Sequence, residues 1–435
     1  MSAYLNDRAA SIYAGTNEVQ RNIVAAHLLQ GASDAHDVLP PGAASLLGDE
    51  AAALRDSLAR WLADHIDLQQ HARADAPPAA PVWRALAQDL GLLGAHLPEA
   101  QWSELGGLAA GLPQAAATQA LLLQTLGAWL AAEPYAGAAV VAGGVLQRAG
   151  TPAARALLAQ LVDGAALPVW AHAEPGHRGD PLSAAADVAA TLIPEAGRGW
   201  RLHGRKTAVI AAPQATHLVV SARRSGRPGD AEGLDLLLLP IDAPGLSRRD
   251  LRTLDGGSCS ELQFDGVAVP PEALLTAPGQ AHGAIHRALD EATLAACCEA
   301  LGVLRRLQTD TLAHVRERRQ FGQPLAAFQV LQHHLADMHI ARELAEALTW
   351  SGVALLADGQ ASDSERALAV SSAKVAVGRA CRCVGQGAVQ LHGAMGVTEE
   401  LAVGRFFRRA TQLELAAGST QQHLRRIATL QALRS

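Results

Sequence analysis

The periodicity of the chain changes twice, and those two changes restrict its fold more than any single motif. From Ala44 to about Ala166 apolar residues recur at three- and four-residue spacing, as in AAALRDSLARWLADHI and WRALAQDLGLLG. That is the signature of amphipathic helices, and QALLLQTLGAWLAAEP, apolar nearly all round, reads as a buried one. Between Leu167 and about Leu275 the texture becomes short apolar runs separated by Gly, Pro and Asp: GWRLHGRKTAVI, THLVVSAR, GLDLLLLPID and SELQFDGVAV. These read as strands of an antiparallel β domain. After Gly279 the pattern is helical again, with Leu304, Leu307 and Val315 marking one face and Phe328, Leu331, Leu335 and Met338 another. The expected class is α+β. Its parts are an N-terminal helical domain at 44–166, a middle β domain at 167–275 and a C-terminal four-helix bundle at 280–435. Residues 26–43 lose all periodicity and end in Pro-Pro-Gly, so 1–43 is expected to be an extension and linker.

Composition narrows the function classes. The 435 residues are 49% hydrophobic but only 3% aromatic, so the core must be built from Ala, Leu and Val, which suits closely packed helices. A net charge of −6 with interspersed signs offers no basic stripe for nucleic acid. Runs such as LDLLLLPI are too short to span a bilayer, and no signal-like segment opens the chain. A soluble cytoplasmic protein is the expectation. Five cysteines, at 259, 297, 298, 381 and 383, make no disulfide framework, and CRC at 381–383 lacks a second ligand pair, so no metal is expected. Only Lys206 and Lys374 are lysines; every other basic residue is arginine, which we read as GC-rich bacterial coding with no functional content.

One repeat stands out. SIYAGTNEVQRNIVA (11–25) and ELAAGSTQQHLRRIA (414–428) align at an offset of 403, which pairs Ala14 with Ala417, Gly15 with Gly418, Thr16 with Ser419, Val24 with Ile427 and Ala25 with Ala428. A motif of the C-terminus thus also stands at the N-terminus.

Three stretches give the α, β, α order a specific meaning: RERRQFGQPLAAFQVLQHHLADM (316–338), AVQLHGAMGVTEE (388–400) and the Ala-Gly-Ser tail. Together they resemble the acyl-CoA dehydrogenase family, flavoproteins that introduce a 2,3 double bond into acyl-CoA thioesters. WRALAQDLGLLGAHLPE, AHAEPG (171–176) and FDGVAVP (264–270) fall where that family has related segments, so the likeness runs from Ala44 onward. DGGSCSEL, SSAKVAVGRACRCVGQGAVQLHG and QQHLRRIA look like the small subunit of pimeloyl-CoA dehydrogenase-type enzymes. Residues 1–30 instead look like the tail of a large subunit. A fusion remnant is the preferred reading of that segment and an early start the other, with 1–43 expected to be an appended tail.

The resemblance implies a carboxylate base, hydrogen bonds to the thioester oxygen and a flavin that accepts hydride. The family places its glutamate at one of two positions, which here are Ala417 and Ala292; the N-terminal copy has Ala14. None can accept a proton, so no catalytic residue is assigned. Asp290 and Glu291 flank the helical position but should face elsewhere, since one residue turns a helix by about 100°; a solvated acidic pair is the expectation. Where the family has a Trp-Ile-Thr/Ser run against the flavin, GRKTAVIAA supplies Ala208, Val209 and Ile210, and Ala173 replaces a hydroxyl residue in AHAEPG. The elements that in this family serve a neighbour's FAD are kept: Arg318 and Phe321 of R-x-x-F-G, and Gln390 and Gly393 of Gln-x-x-Gly-Gly, with Ala394 in place of the second Gly. Arg318 could equally sit on a solvated face and Phe321 in the core. The histidines 172, 177, 333, 334 and 392 are left as structural. The expected protein is an FAD-linked acyl-CoA dehydrogenase subunit without its own base. Its partners would be acyl-CoA, a large subunit or a dimer or tetramer of itself, and an electron-transferring flavoprotein. A self-sufficient homo-oligomer using Glu291 or another, unassigned acid as a non-standard base, and a non-enzymatic scaffold, are the alternatives.

Overall fold

The computed structural model describes residues 17–30, 47, 49–68, 79–95, 97, 115–131, 134–176, 187–398 and 400–432. Ala14, His177, residues 31–43 of the linker and the end of the WRALAQDLGLLGAHLPE stretch, apart from Leu97, lie outside them. Among the described residues, α1 (Asn17–Leu29) is followed by α2 (Asp49–His65), α3 (Ala79–Arg84), α4 (Ala115–Gly127), α5 (Gly143–Ala149) and α6 (Pro152–Val162). Helix α3 continues into a π-helical turn at Ala85–Asp89, and a second π segment, Ala136–Ala142, leads into α5. Helix α6 shows why such a sequence nucleates where it does. Thr151 caps it by accepting the Ala154 N–H at 3.2 Å, and Pro152, which has no N–H to orphan, takes the first helical position.

The middle layer is a seven-stranded sheet of β1 (Pro168–Ala171), β2 (Thr191–Glu195), β3 (Gly199–Ile210), β4 (His217–Arg223), β5 (Leu234–Pro240), β6 (Leu246–Arg252) and β7 (Ser258–Val269). Its order is β1-β4-β2-β3-β7-β6, with β5 also paired to β4. The sheet departs from the purely antiparallel expectation. β1 runs parallel to β4, from Pro168 opposite His217 to Ala171 opposite Val220, and β2 touches β4 through one parallel bridge. The reason is topological. The chain between β1 and β4 makes a long excursion through the β2–β3 hairpin and returns in the original direction, as a parallel pair requires.

The bundle consists of α7 (Ala281–Glu317), α8 (Gln329–Ala357), α9 (Asp363–His392) and α10 (Val403–Leu415), with α11 (Thr420–Ala432) as a tail helix. A small hairpin, β8 (Arg319–Gln320) and β9 (Gln323–Pro324), joins α7 to α8. Leu304, Leu307, Val315, Leu335 and Met338 are buried, as the periodicity requires. Helices α4 and α7 meet backbone to backbone. A Cβ on Gly302 would stand 1.9 Å from the Gln124 carbonyl oxygen, and one on Gly127 would stand 2.2 Å from that of Glu299. Only glycine permits that approach.

A buried arginine fastens sheet to bundle. Arg409 of α10 donates to both carboxylate oxygens of Glu299 on α7, at 2.5 and 2.8 Å, and to Asp255 in the β6–β7 turn at 2.5 Å. Burial pushes the Asp255 carboxyl up. Arg409, the Thr253 hydroxyl and the Gly257 N–H outweigh that and hold it below its usual value.

Helix α1 is not a loose appendage. It lies along α8 with Ala25 and Leu28 buried, Arg21 paired with Asp337 at 2.7 Å, and Asn22 accepting from Gln329 and bonded to His333.

Candidate functional site

The tail turn comes first, because the family's base position falls there. After α10 the backbone passes through Ala417 at φ 54° and Gly418 at φ 105°. Left-handed geometry is uncommon for alanine and must be held by its surroundings. Two buried side chains hold it. Lys374 of α9, fully buried, donates to the carbonyls of Leu413 at 2.5 Å and Glu414 at 3.0 Å, which are acceptors at the end of α10 that the helix itself leaves open. Burial lowers its pKa. His423 donates from Nε2 to the Ala417 carbonyl at 3.0 Å, while its Nδ1 accepts from the Ser371 hydroxyl at 3.2 Å. Burial depresses this imidazole to about 4, so it stays neutral with one tautomer fixed by its two partners. Gly378 leaves room for the turn, since a Cβ there would lie 2.2 Å from Thr420 Oγ1. The turn is complete and carries a methyl group where a carboxylate would act.

The acidic pair beside Ala292 is buried, against the expectation of a solvated face: Asp290 is 6% and Glu291 8% exposed. Arg426 of α11 donates to Asp290 at 2.6 Å. Burial raises the Asp290 carboxyl, against the pull of Arg426. Glu291 receives both terminal nitrogens of Arg148, at 2.7 and 2.8 Å, and Arg287 Nε at 2.9 Å. Both oxygens of this carboxylate are thus held by charged hydrogen bonds from two guanidiniums. It also borders a cavity of about 20 Å³ between α4, α7 and the second π segment, which Gln119, Leu123, Val140 and Cys298 help to line. That space has room for about one water molecule.

On the sheet, the two segments flagged as flavin contacts do meet. Thr207 N–H donates to the Ala173 carbonyl at 2.8 Å, joining AHAEPG to GRKTAVI. Beneath them Lys206, buried, donates to Glu174 at 2.6 Å, to Ser221 Oγ at 2.9 Å and to the His172 carbonyl at 3.1 Å. Glu174 also accepts from Ala189 N–H at 2.9 Å and Ala190 N–H at 3.1 Å. β3 bulges between Lys206 and Val209, with Ala208 at φ 50° and exposed, while Val209 turns into the core. No side-chain hydroxyl stands at 173, 208, 209 or 210.

The remaining predicted residues gather at the far end of the bundle. Arg318 caps α7, and one turn earlier His314 stacks on His392 of α9 at 4.3 Å. That stack brings the Arg318 end of α7 to Gln390, Gly393 and Ala394 at the end of α9. Arg318, Gln390, Gly393 and Ala394 are all exposed. Gly393 takes φ 62°, ψ −140°, a region reserved for glycine. Phe321 is 91% exposed at the tip of the β8–β9 hairpin and itself adopts φ 53°. A large apolar ring held outward on a strained tip is no core residue; it faces whatever stands opposite.

Sequence reasoning missed the arginine partners of Glu291, although Arg287 stands four residues before it, a spacing that brings two side chains together on a helix. It also set aside the two lysines, both of which the structure buries at interior hydrogen-bonding posts. Metal ligation finds no support: no cluster of His, Cys, Asp or Glu among the described residues could hold an ion. No described helix is long and apolar enough to cross a membrane. Burial pushes the Cys297 and Cys381 thiols up to about 12, which leaves them inert core residues.

Comparisons with known proteins agree on a family. Residues 48–165 match the description "Acyl-CoA dehydrogenase, N-terminal domain", 170–267 "Acyl-CoA dehydrogenase, middle domain" and 282–430 "Acyl-CoA dehydrogenase, C-terminal domain". The short-chain specific acyl-CoA dehydrogenase of Rattus norvegicus mitochondria is 29% identical over 255 residues, 58% of this chain and 60% of that one. The chain thus spans about three-fifths of the length of the curated relatives it matches. Among solved structures, a variant of the Tcur3481-Tcur3483 steroid ACAD superposes with a TM-score of 0.75 at 30% identity, covering 89% of this chain and 99% of its own. The ChsE4-ChsE5 complex of Mycobacterium tuberculosis gives 0.76 at 26%, covering 89% and 98%.

Proposed function

Because the chain belongs to the acyl-CoA dehydrogenase family, we propose that it is the base-lacking subunit of a heteromeric, FAD-linked enzyme forming 2,3-enoyl-CoA. One observation carries this reading. The tail turn that would present a base is intact but ends in Ala417, and Glu291, the nearest substitute on α7, is clamped by two arginines. Two solved neighbours, the Tcur3481-Tcur3483 steroid ACAD and the ChsE4-ChsE5 complex, carry paired names, which supports a partner of the same fold.

FAD is the cofactor of this family, and the residues present divide over it. The isoalloxazine half does not fit this chain's own sheet, where Ala173, Ala208 and Ile210 offer methyl groups and the buried Lys206–Glu174 pair is satisfied internally. The adenosine diphosphate half fits the bundle end. Arg318 provides a permanent forked charge for phosphate oxygens, Phe321 an outward ring for a base, and the Gly393–Ala394 backbone an open approach beside Gln390. When bound, FAD supplies the hydride acceptor. Arg318, Phe321 and Gln390 would hold and orient it from across a two-fold interface that keeps only one complete pocket. The α-proton would leave to a carboxylate on the partner. On this reading the acyl pocket belongs to the partner as well. The subgroup likeness points to a pimeloyl-like thioester and the likeness to the Tcur3481-Tcur3483 steroid ACAD to a steroid one.

Flavin absorbance per chain is the test. The protein purified alone should be colourless, and should become yellow and active with a catalytic subunit. One FAD per chain in the isolated protein would overturn the proposal in favour of a self-sufficient homo-oligomer.

A further inference from the structure

The internal repeat is also a repeat of structure. The offset of 403 carries Asn17 to Thr420 and Leu29 to Ala432, so the bounds of α1 and α11, each of 13 residues, coincide under it. Yet the two helices bury different faces. Helix α11 turns Thr420, His423 and Arg426 into its own bundle. The corresponding residues of α1, Asn17, Gln20 and Ile23, are exposed, Ile23 by 58%. Helix α1 instead buries Ala25 and Leu28, whose counterparts Ala428 and Gln431 are exposed on α11. At about 100° per residue the centres of those two sets lie about 110° apart around the helix.

We infer that the groove between α7 and α8 is a receptor for the tail helix of a neighbouring subunit of this fold, and that this chain fills it with a tail helix of its own. This rests on the heteromeric reading above. A tail helix has two faces, one for its own bundle, as α11 shows, and one for a neighbour, as α1 shows. The groove is equipped for the second. Asp337 takes the Arg21 guanidinium, Gln329 and His333 meet Asn22, and Arg316 Nη2 donates to the Leu28 carbonyl at 2.5 Å, an acceptor that the end of α1 leaves open. Those anchors stand on both sides of the β8–β9 hairpin: Arg316 lies two residues before Arg318, and Gln329 directly follows Phe328, whose ring meets Phe321 edge-on at 6.2 Å. The docked helix therefore braces the loop that presents Arg318 and Phe321.

The experiment keeps the full chain. A protease site is inserted between Gln30 and Leu47, the protein is cleaved after folding, and a fluorescein-labelled peptide of residues 11–30 is added. The labelled peptide should exchange into the nicked protein saturably. The same peptide with Ala25→Asp should bind at least about a hundredfold more weakly, since Ala25 is fully buried and a charge there has no partner. Amides of residues 318–328 should exchange faster when the native piece is washed out and slow again on peptide addition. Failure of the peptide to bind, equal binding by a scrambled peptide, or hairpin exchange indifferent to occupancy would overturn the inference. None of these outcomes depends on flavin content, so a failure here stays separate from a failure of the functional proposal.

Discussion

Glu291→Gln separates the two enzymatic readings of this chain. In the structure Glu291 is a buried anion that accepts three charged hydrogen bonds, two from Arg148 and one from Arg287. Removing one partner of a fully buried pair costs about 3–5 kcal/mol. Here Arg148 and Arg287 remain 35% and 28% exposed, so solvent relieves part of their loss, and glutamine keeps one carbonyl acceptor. The expected penalty is therefore about 2 kcal/mol. Urea unfolding should show it as a lower midpoint with an unchanged slope. The variant Arg148→Met/Glu291→Gln should lose less than the two single changes summed, because each change orphans the other's partner. On the base-lacking reading, turnover of the assembled enzyme should stay within about threefold of the parent, since general acid–base catalysis, typically worth about 10²–10⁴-fold, would then come from the partner. A variant with an unmoved midpoint and turnover down more than about a hundredfold would refute the reasoning, because Glu291 would then be acting as a base.

Four further outcomes follow from the geometry. Gly302→Ala should destabilise by about 3 kcal/mol in thermal unfolding, although alanine ordinarily favours a helix by about 1 kcal/mol, because its methyl would overlap the Gln124 carbonyl of α4. Arg409→Met should cost about 3–5 kcal/mol by leaving Glu299 and Asp255 without their shared counter-charge. Asp255 has a depressed folded pKa, so its stabilisation is present above about pH 4 and is lost on acidification; in Arg409→Met the acid transition should move to higher pH. His423 titrates near 4 when folded against about 6.5 when unfolded, so its contribution of about 3 kcal/mol is present above pH 6.5 and fades towards pH 4. His286, also held near 4 by burial, shares that window, and unfolding of His423→Gln should show a pH slope shallower by one proton. Finally, Arg318→Ala in the assembled enzyme should release FAD on gel filtration where the parent retains it, and full retention would remove Arg318 from the cofactor site.

What the sequence showed depended on whether the interactions were local. Strand β3 occupies the same residues as the run GWRLHGRKTAVI because alternation and flanking glycines are properties of neighbours in the chain. The motif marked the position of Ala417, while its left-handed backbone is visible only in the structure. Glu291 was misjudged because half of its environment, Arg148, lies 143 residues away, and a one-dimensional reading sees only an acidic pair near a helix start. Phe321 could be core or surface on composition. Only the hairpin that lifts it away from α7 and α8 decides. Helix α1 precedes a linker-like stretch and so read as an appendage, since its anchors on α8 lie over 300 residues further on.

The two lysines explain why a chain can lose its base and keep the turn that carried it. Every other basic residue is arginine, so coding bias alone would have converted these as well. Both sit where a planar guanidinium cannot serve. Lys206 reaches a carboxylate, a hydroxyl and a carbonyl that surround one point. Lys374 reaches two successive carbonyls at the end of α10. A compact ammonium with three rotatable donors satisfies such converging acceptors, whereas the larger fork of arginine would have to displace them. Removing the carboxylate at 417 leaves all of these bonds in place. Changing the turn itself would orphan a buried ammonium, a buried imidazole and the α10 carbonyls together, at a cost comparable to the whole stability of a domain. On the base-lacking reading, selection for folding would preserve this framework after proton transfer had passed to a partner, so the surviving turn is evidence of fold and the side chain at its apex is what bears on chemistry.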